Sequence, residues 1–160
     1  MSQRLNSRLL EVTLLTPQKR GYEFETFLKE LFDAYDLSAR ASNFCLIGEQ
    51  IDGSFIMHND TYLLEAKWQN SPTGIADLHT FEGKLREKAS WSRGLFVSNS
   101  GFSGEGLQSF GRAKRTICMD GFDISEMLRL RLPFIKVMEA KAGRAVETGC
   151  PFVSVRDLFI

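Results

Sequence analysis

The chain of 160 residues sets 20 Lys+Arg against 20 Asp+Glu and is 43% hydrophobic, with 13 Gly and 4 Pro. That balance is the profile of one soluble globular domain and excludes disordered, collagen-like and coiled-coil chains. A domain of this size buries roughly two thirds of its unfolded surface, so it needs no disulfide or structural zinc to hold together. Apolar runs are broken by charge within about ten residues, well below the ~20 needed to cross a bilayer. Met1 is followed by polar Ser2, Gln3 and Arg4, so the expectation is a cytoplasmic protein with no leader and no membrane contact.

Residues 1–20 read as an N-terminal arm or short helix, with Leu5, Leu9, Leu10, Val12, Leu14 and Leu15 ending near Thr16-Pro17. From Gly21 to Tyr35 the apolar positions Tyr22, Phe24, Phe27, Leu28, Leu31, Phe32 and Tyr35 recur at helical spacing and predict a helix with a wide buried stripe. Three strands follow, over Ala41–Ile47, Gln50–Met57 and Thr61–Trp68, the last two separated by His58-Asn59-Asp60. After Asn70-Ser71-Pro72-Thr73-Gly74 comes a helix over Ile75–Trp91. A strand over Gly94–Ser98, a helix over Gly104–Ala113, a strand over Arg115–Met119 and a helix over Ile124–Leu132 complete the series. The order α-β-β-β-α-β-α-β-α implies an α/β fold, a mixed central sheet covered by helices on both faces. A core over 21–131 is expected within one domain, with 132–160 as an extension whose Pro151–Val155 stretch reads as an edge strand or an interface segment.

Cys45, Cys118 and Cys150 are scattered, with no Cys-x-x-Cys pair, and read as packing residues; zinc and disulfide frameworks are not expected. Charge is uneven along the chain. Residues 1–65 hold 6 basic and 10 acidic side chains, and 66–160 hold 14 and 10, so the halves carry −4 and +4. Such a field can steer a polyanion toward one face.

The informative stretch is Ile51-Asp52-Gly53 followed by Leu63-Leu64-Glu65-Ala66-Lys67. Strand alternation puts Glu65 and Lys67 on one face and Leu64, Ala66 and Trp68 on the other. A two-residue loop at His58-Asn59 places Asp52 directly across from Glu65; a loop at Asn59-Asp60 places it across from Lys67, with Glu65 a diagonal neighbour. A one-residue slip without a compensating bulge separates the acids. Two carboxylates about 5 Å apart need a cation. Lys67 supplies one, and two acids, water and a backbone carbonyl also make the all-oxygen surroundings that Mg²⁺ or Mn²⁺ prefers. The bland reading of the same residues is a structural Asp-Lys-Glu network at a sheet end.

The ordering of helix, Asp-bearing strand, Glu-x-Lys strand, helix and Gly-initiated strand resembles the PD-(D/E)XK nuclease superfamily, most closely its Mrr-like restriction endonuclease branch. The residues that carry the resemblance are Gly21-Tyr22-Glu23-Phe24-Glu25, Ile51-Asp52-Gly53, Tyr62-Leu63-Leu64-Glu65-Ala66-Lys67-Trp68-Gln69, Phe81-Glu82-Gly83-Lys84, Gly94-Leu95-Phe96-Val97-Ser98 and Met119-Asp120-Gly121. Ile51 stands where the superfamily's name has proline, and Glu65 where the branch often has Gln. The resemblance implies Asp52 and Glu65 as metal ligands beside the Ala66 carbonyl, Lys67 as the catalytic lysine, Glu25 as a helix-borne acid near the metal with Glu23 as its fallback, and Gln69 as an accessory polar residue.

The expected function is a Mg²⁺-dependent endodeoxyribonuclease, with Mn²⁺ able to substitute, in a restriction or anti-phage defence system. Lys84, Arg86, Lys88, Arg112 and Lys114 are candidate nucleic-acid contacts, binding phosphates without reading sequence. With no helix-turn-helix or zinc finger in sight, specificity for DNA is expected from a homodimer, from a separate recognition or sensor subunit, or from DNA structure. The alternatives are a catalytically silent binding module of the same fold and a structure-specific nuclease of the junction-resolving kind.

Overall fold

The computed structural model describes residues 1–37, 39–41, 51–112 and 114–160. Five strands form one sheet in the spatial order β1 (Arg40–Ala41), β2 (Gly53–Met57), β3 (Asp60–Lys67), β4 (Arg93–Ser98), β5 (Thr116–Asp120). The first three are antiparallel neighbours and the last three parallel, so the sheet is mixed, as expected. Most of the strand expected over Ala41–Ile47, with Cys45, lies outside the described residues. The β2–β3 loop is His58-Asn59. Both residues have positive φ (51° and 67°), which gives the loop the twist that a two-residue hairpin requires and fixes the register at Met57↔Asp60.

One sheet face packs Phe55, Tyr62, Leu64, Val97 and Met119 against α1 (Ser2–Thr13), α2 (Pro17–Ala34), α5 (Gly121–Arg129) and α6 (Phe134–Thr148). The other packs Leu63, Phe96 and Cys118 against α3 (Ile75–Arg86) and α4 (Gly104–Phe110). Helices therefore cover both faces. Among the described residues no helix is long and apolar enough to cross a membrane.

The helix boundaries depart from expectation where local chemistry overrides periodicity. Helix α2 starts at Pro17, whose missing N–H is tolerated in the first turn, four residues before the expected start. Helix α3 stops at Arg86 instead of Trp91, because the chain must turn to bring Arg93 beside Tyr62 in the parallel pair. Helix α5 starts at Gly121, three residues early, because Asp120 and Asp123 form a reciprocal capping box there. Gly121 itself is required: a Cβ at that position would lie 2.3 Å from Asn99 Oδ1.

The expected edge strand at Pro151–Val155 does not form. Residues 134–148 are helix α6, with Phe134, Val137, Met138 and Lys141 inward at i, i+3, i+4 and i+7, ended by Gly149 at φ 76°. The chain then hooks back: the Cys118 N–H donates to the Pro151 carbonyl (2.9 Å), and a short helix α7 (Val155–Phe159) follows. Lys141 anchors this hook from inside. Its Nζ donates to Asp123 Oδ2 (2.7 Å), Val153 O (2.7 Å) and Cys118 O (3.1 Å), so all three protons of a fully buried ammonium are satisfied. Cys118 is a packing residue; Cys150 is exposed, contrary to expectation, because it follows the helix-ending glycine at the surface.

Candidate active site

The hairpin register extends as far as Gly53↔Leu64 and then slips. The Asp52 N–H also donates to the Leu64 carbonyl (3.0 Å), so two residues of one strand oppose a single residue of the other. That is a β-bulge, and it reverses the side-chain parity upstream. Ile51 accordingly joins the α3-side cluster with Leu63, while Phe55 and Met57 face α2. The direct cross-strand opposition of Asp52 and Glu65 expected from an unbulged ladder is thereby replaced. Asp52 instead accepts a hydrogen bond on Oδ2 from the Ala66 N–H (2.8 Å), filling the place where a partner strand's carbonyl would sit. In an extended strand the N–H and C=O of one residue point to the same edge, so the Ala66 carbonyl opens toward Asp52 as well.

From that gap Asp52 is within the field of both sheet faces. Helix α2 lies over the end of β3, with Phe24 packed edge-on against Trp68 at 5.2 Å and the Arg20 guanidinium 5.6 Å from the same ring. This contact aims the next residue, Glu25, at the bulge. Burial pushes the Glu25 carboxyl up to about 7, and the charges of Asp52 and Glu65 and a hydrogen bond with Asp52 push the same way. Burial also raises Asp52, opposed by the Ala66 N–H and by Lys84 and Lys67. Glu65 is raised by burial and then by Asp52, with Lys84 pulling against them. Three carboxylates thus share one partly desolvated, negative pocket, a pattern associated with functional sites.

Helix α3 supplies the counter-charges. Asp77, Phe81 and Lys84 share a face at i, i+4 and i+7; Phe81 is buried, and the polar pair reaches the Glu65 and Lys67 face of β3. Lys84 Nζ lies 3.2 Å from Glu65 Oε2, and Lys67 Nζ lies 3.3 Å from Asp77 Oδ1. Neither partnership was expected from the sequence, although the spacing of α3 carries it. Glu23, the fallback for Glu25, is committed to Arg8 on α1. Gln69 Nε2 reaches Thr73 Oγ1 at 3.5 Å, and buried Thr73 bonds Ser98 Oγ at 2.7 Å, which ties the exit of β3 to that of β4.

The structure therefore brings Glu25, Asp52 and Glu65 together with Lys84, and holds Lys67 against Asp77 at the rim. Among the other candidate phosphate contacts, Arg86 is exposed at the end of α3, Lys88 follows it, Arg112 packs beside Gly149, and Lys114 lies at the far end of the sheet. Among the described residues no three His, Cys, Asp or Glu side chains converge into a ready-made metal cage.

No curated protein matches the chain. Among solved structures, protein VC1899 from Vibrio cholerae superposes with a TM-score of 0.55 at 12% identity, over 76% of this chain and 35% of that one. A protein of unknown function, AF1548, gives 0.47 at 17% identity over 53% and 50%. The MspJI restriction endonuclease in complex with a 27-mer oligonucleotide gives 0.44 at 13% identity over 79% and 32%. The chain thus spans between a third and a half of the length of these structures. A family model described as restriction endonuclease (Mrr_cat) matches residues 18–128, from the first turn of α2 to the last turn of α5, and so takes in the bulge, its three acids and both lysines. The chain belongs to this restriction endonuclease family.

Proposed function

We propose that the chain is a divalent-metal-dependent endodeoxyribonuclease, with Asp52, Glu65 and the Ala66 carbonyl as the groups that hold the ion. The supporting observation is the cluster of Glu25, Asp52 and Glu65, gathered around the bulge at Asp52 despite its own repulsion. The donor set suits Mg²⁺ or Mn²⁺: it is all oxygen and net negative, and Mg²⁺ commonly takes one or two carboxylates while keeping several waters. When bound, such an ion polarises a phosphate oxygen and lowers the pKa of a bound water.

The chain's own residues perform the remaining work. Lys67 projects from β3 on the same side as Glu65 and, steadied by Asp77, presents Nζ to orient a water toward phosphorus. Glu25 holds a proton at its carboxyl near neutral pH and shares a hydrogen bond with Asp52, which moderates the charge of the cluster until a cation arrives. Lys84 fixes one oxygen of Glu65, and Gln69 braces the strand exit. Membership in a restriction endonuclease family supports DNA as the polymer and restriction or anti-phage defence as the setting; we place the protein in the cytoplasm, with a homodimer or a separate recognition subunit supplying the target.

The test is cleavage of supercoiled plasmid by purified protein in Mg²⁺ or Mn²⁺. Nicking that EDTA abolishes, and that Asp52→Asn and Lys67→Ala each reduce by about a hundredfold or more, supports the assignment. Equal activity in the variants overturns it.

A further inference from the structure

A cavity of about 340 Å³ opens at the end of the sheet away from the acids, between α6 and the first residues of β4 and β5. It exists because α6 turns Ala142 and Ala145 toward the strands and is followed by Gly149, leaving the space a larger side chain would fill. Its size is at the lower end of the range for small-ligand sites.

The lining is strongly biased in charge. Arg93, Lys114 and Arg115 contribute to the wall, and among the described residues no Asp or Glu does. Arg93 keeps one ion pair, Nε to Asp60 Oδ2 at 3.3 Å, with both groups about half exposed. Lys114 rests its ammonium over the Phe110 ring at 5.2 Å. Arg115 has no ion pair among the described residues. Beside these cations Trp91 is 77% exposed at the mouth, an unusual position for the largest aromatic side chain. The Lys114 ammonium thus turns toward the α4 side, which leaves Arg93 and Arg115 as the cations of the concavity; they favour an anion, and an exposed indole ring favours a flat π-system.

We propose that this cavity binds a nucleotide, its base stacked on Trp91 and its phosphate held by Arg115 and Arg93. The site is separate from the carboxylate cluster: Tyr62 lines the cavity, and Glu65 lies three residues further along β3, roughly 10 Å away at the usual rise per residue. A free mononucleotide and a nucleotide within a nucleic-acid strand present the same chemistry.

The experiment is a tryptophan-fluorescence titration of the full chain with dAMP, with a short single-stranded oligodeoxynucleotide and with inorganic phosphate. Saturable quenching that disappears in Trp91→Phe, which leaves Trp68 as the remaining indole, is the expected result. Arg115→Gln and Arg93→Gln should each weaken binding about tenfold, the loss of one charge-assisted contact. dAMP should bind equally well in EDTA, so failure of the metal-dependent nuclease assignment leaves this site standing. Binding of dAMP identifies a free-nucleotide site, and binding of the oligonucleotide alone identifies a strand contact. Quenching by dAMP that persists in Trp91→Phe, dAMP affinity unchanged in both cation variants, or phosphate binding as tightly as dAMP overturns the proposal.

Discussion

Removing one acid from the cluster should reshape the pH dependence of stability. Glu25 rises from an ordinary 4.5 to about 7 in the folded protein, with burial as the largest cause and the charges of Asp52 and Glu65 next. A carboxyl whose pKa is raised by folding binds its proton more tightly in the native state, so its contribution is most favourable below pH 4.5 and is lost as pH rises toward 7. At about 1.4 kcal/mol per pH unit the full rise corresponds to about 3 kcal/mol. Glu25 is only partly buried, and solvent screening reduces this to about 1–2 kcal/mol. Urea unfolding in EDTA at pH 5 and pH 8 should therefore show wild type losing about 1–2 kcal/mol more than Glu25→Gln between the two pH values, with Glu25→Gln the more stable protein at pH 8. Adding Mg²⁺ at pH 8 should restore the wild type preferentially. Identical pH dependence in the two proteins would refute the reasoning, because the three carboxylates would then not share a pocket.

Three further outcomes follow from the packing and the charges. Lys141→Met leaves Asp123 charged and buried, and should cost about 3–5 kcal/mol, read as a large fall in melting temperature; a loss below about 1 kcal/mol would mean that the buried pair is not formed. Lys84→Met deprives Glu65 of its nearest cation, so apo stability at pH 8 should drop by about 1–3 kcal/mol and recover in Mg²⁺, whereas a drop that ignores Mg²⁺ would point to simple packing. Gly94→Ala puts a Cβ 2.5 Å from Leu85 Cδ1 and 2.7 Å from Phe81 Cε2, and thermal melting should show a loss of about 1–3 kcal/mol from overpacking between β4 and α3.

The sequence made the architecture legible wherever short-range chemistry decides it. The stripe of Phe24, Phe27, Leu28, Leu31 and Phe32 announced α2, and of the two hairpin loops the sequence allowed, the structure takes the one at His58-Asn59. The slip at Asp52 was not legible, because a bulge depends on where the strand must bend and Gly53 alone does not announce it. Without the slip Asp52 would stand opposite Glu65; with it, Asp52 occupies the gap between the strands and meets Glu25 from the other face, so the acids gather by a different route. Helix α6 was left as an unassigned extension although Phe134, Val137, Met138 and Lys141 are spaced for it, because the stripe is short and includes a lysine whose burial only the folded hook explains. Asp77 and Lys84 were overlooked as partners of β3 because a charged residue on an amphipathic helix ordinarily faces water; only the docking of Phe81 turns both toward the sheet.

The most direct test of the central claim, that the bulge and its acids form a cation site, is calorimetric titration of the apo protein with Mn²⁺ at pH 7.5. Wild type should bind saturably, and Asp52→Asn and Glu65→Gln should each weaken binding at least about tenfold with the fold intact by circular dichroism. Wild-type affinity in both variants, or no binding by wild type at millimolar Mn²⁺, would contradict the account.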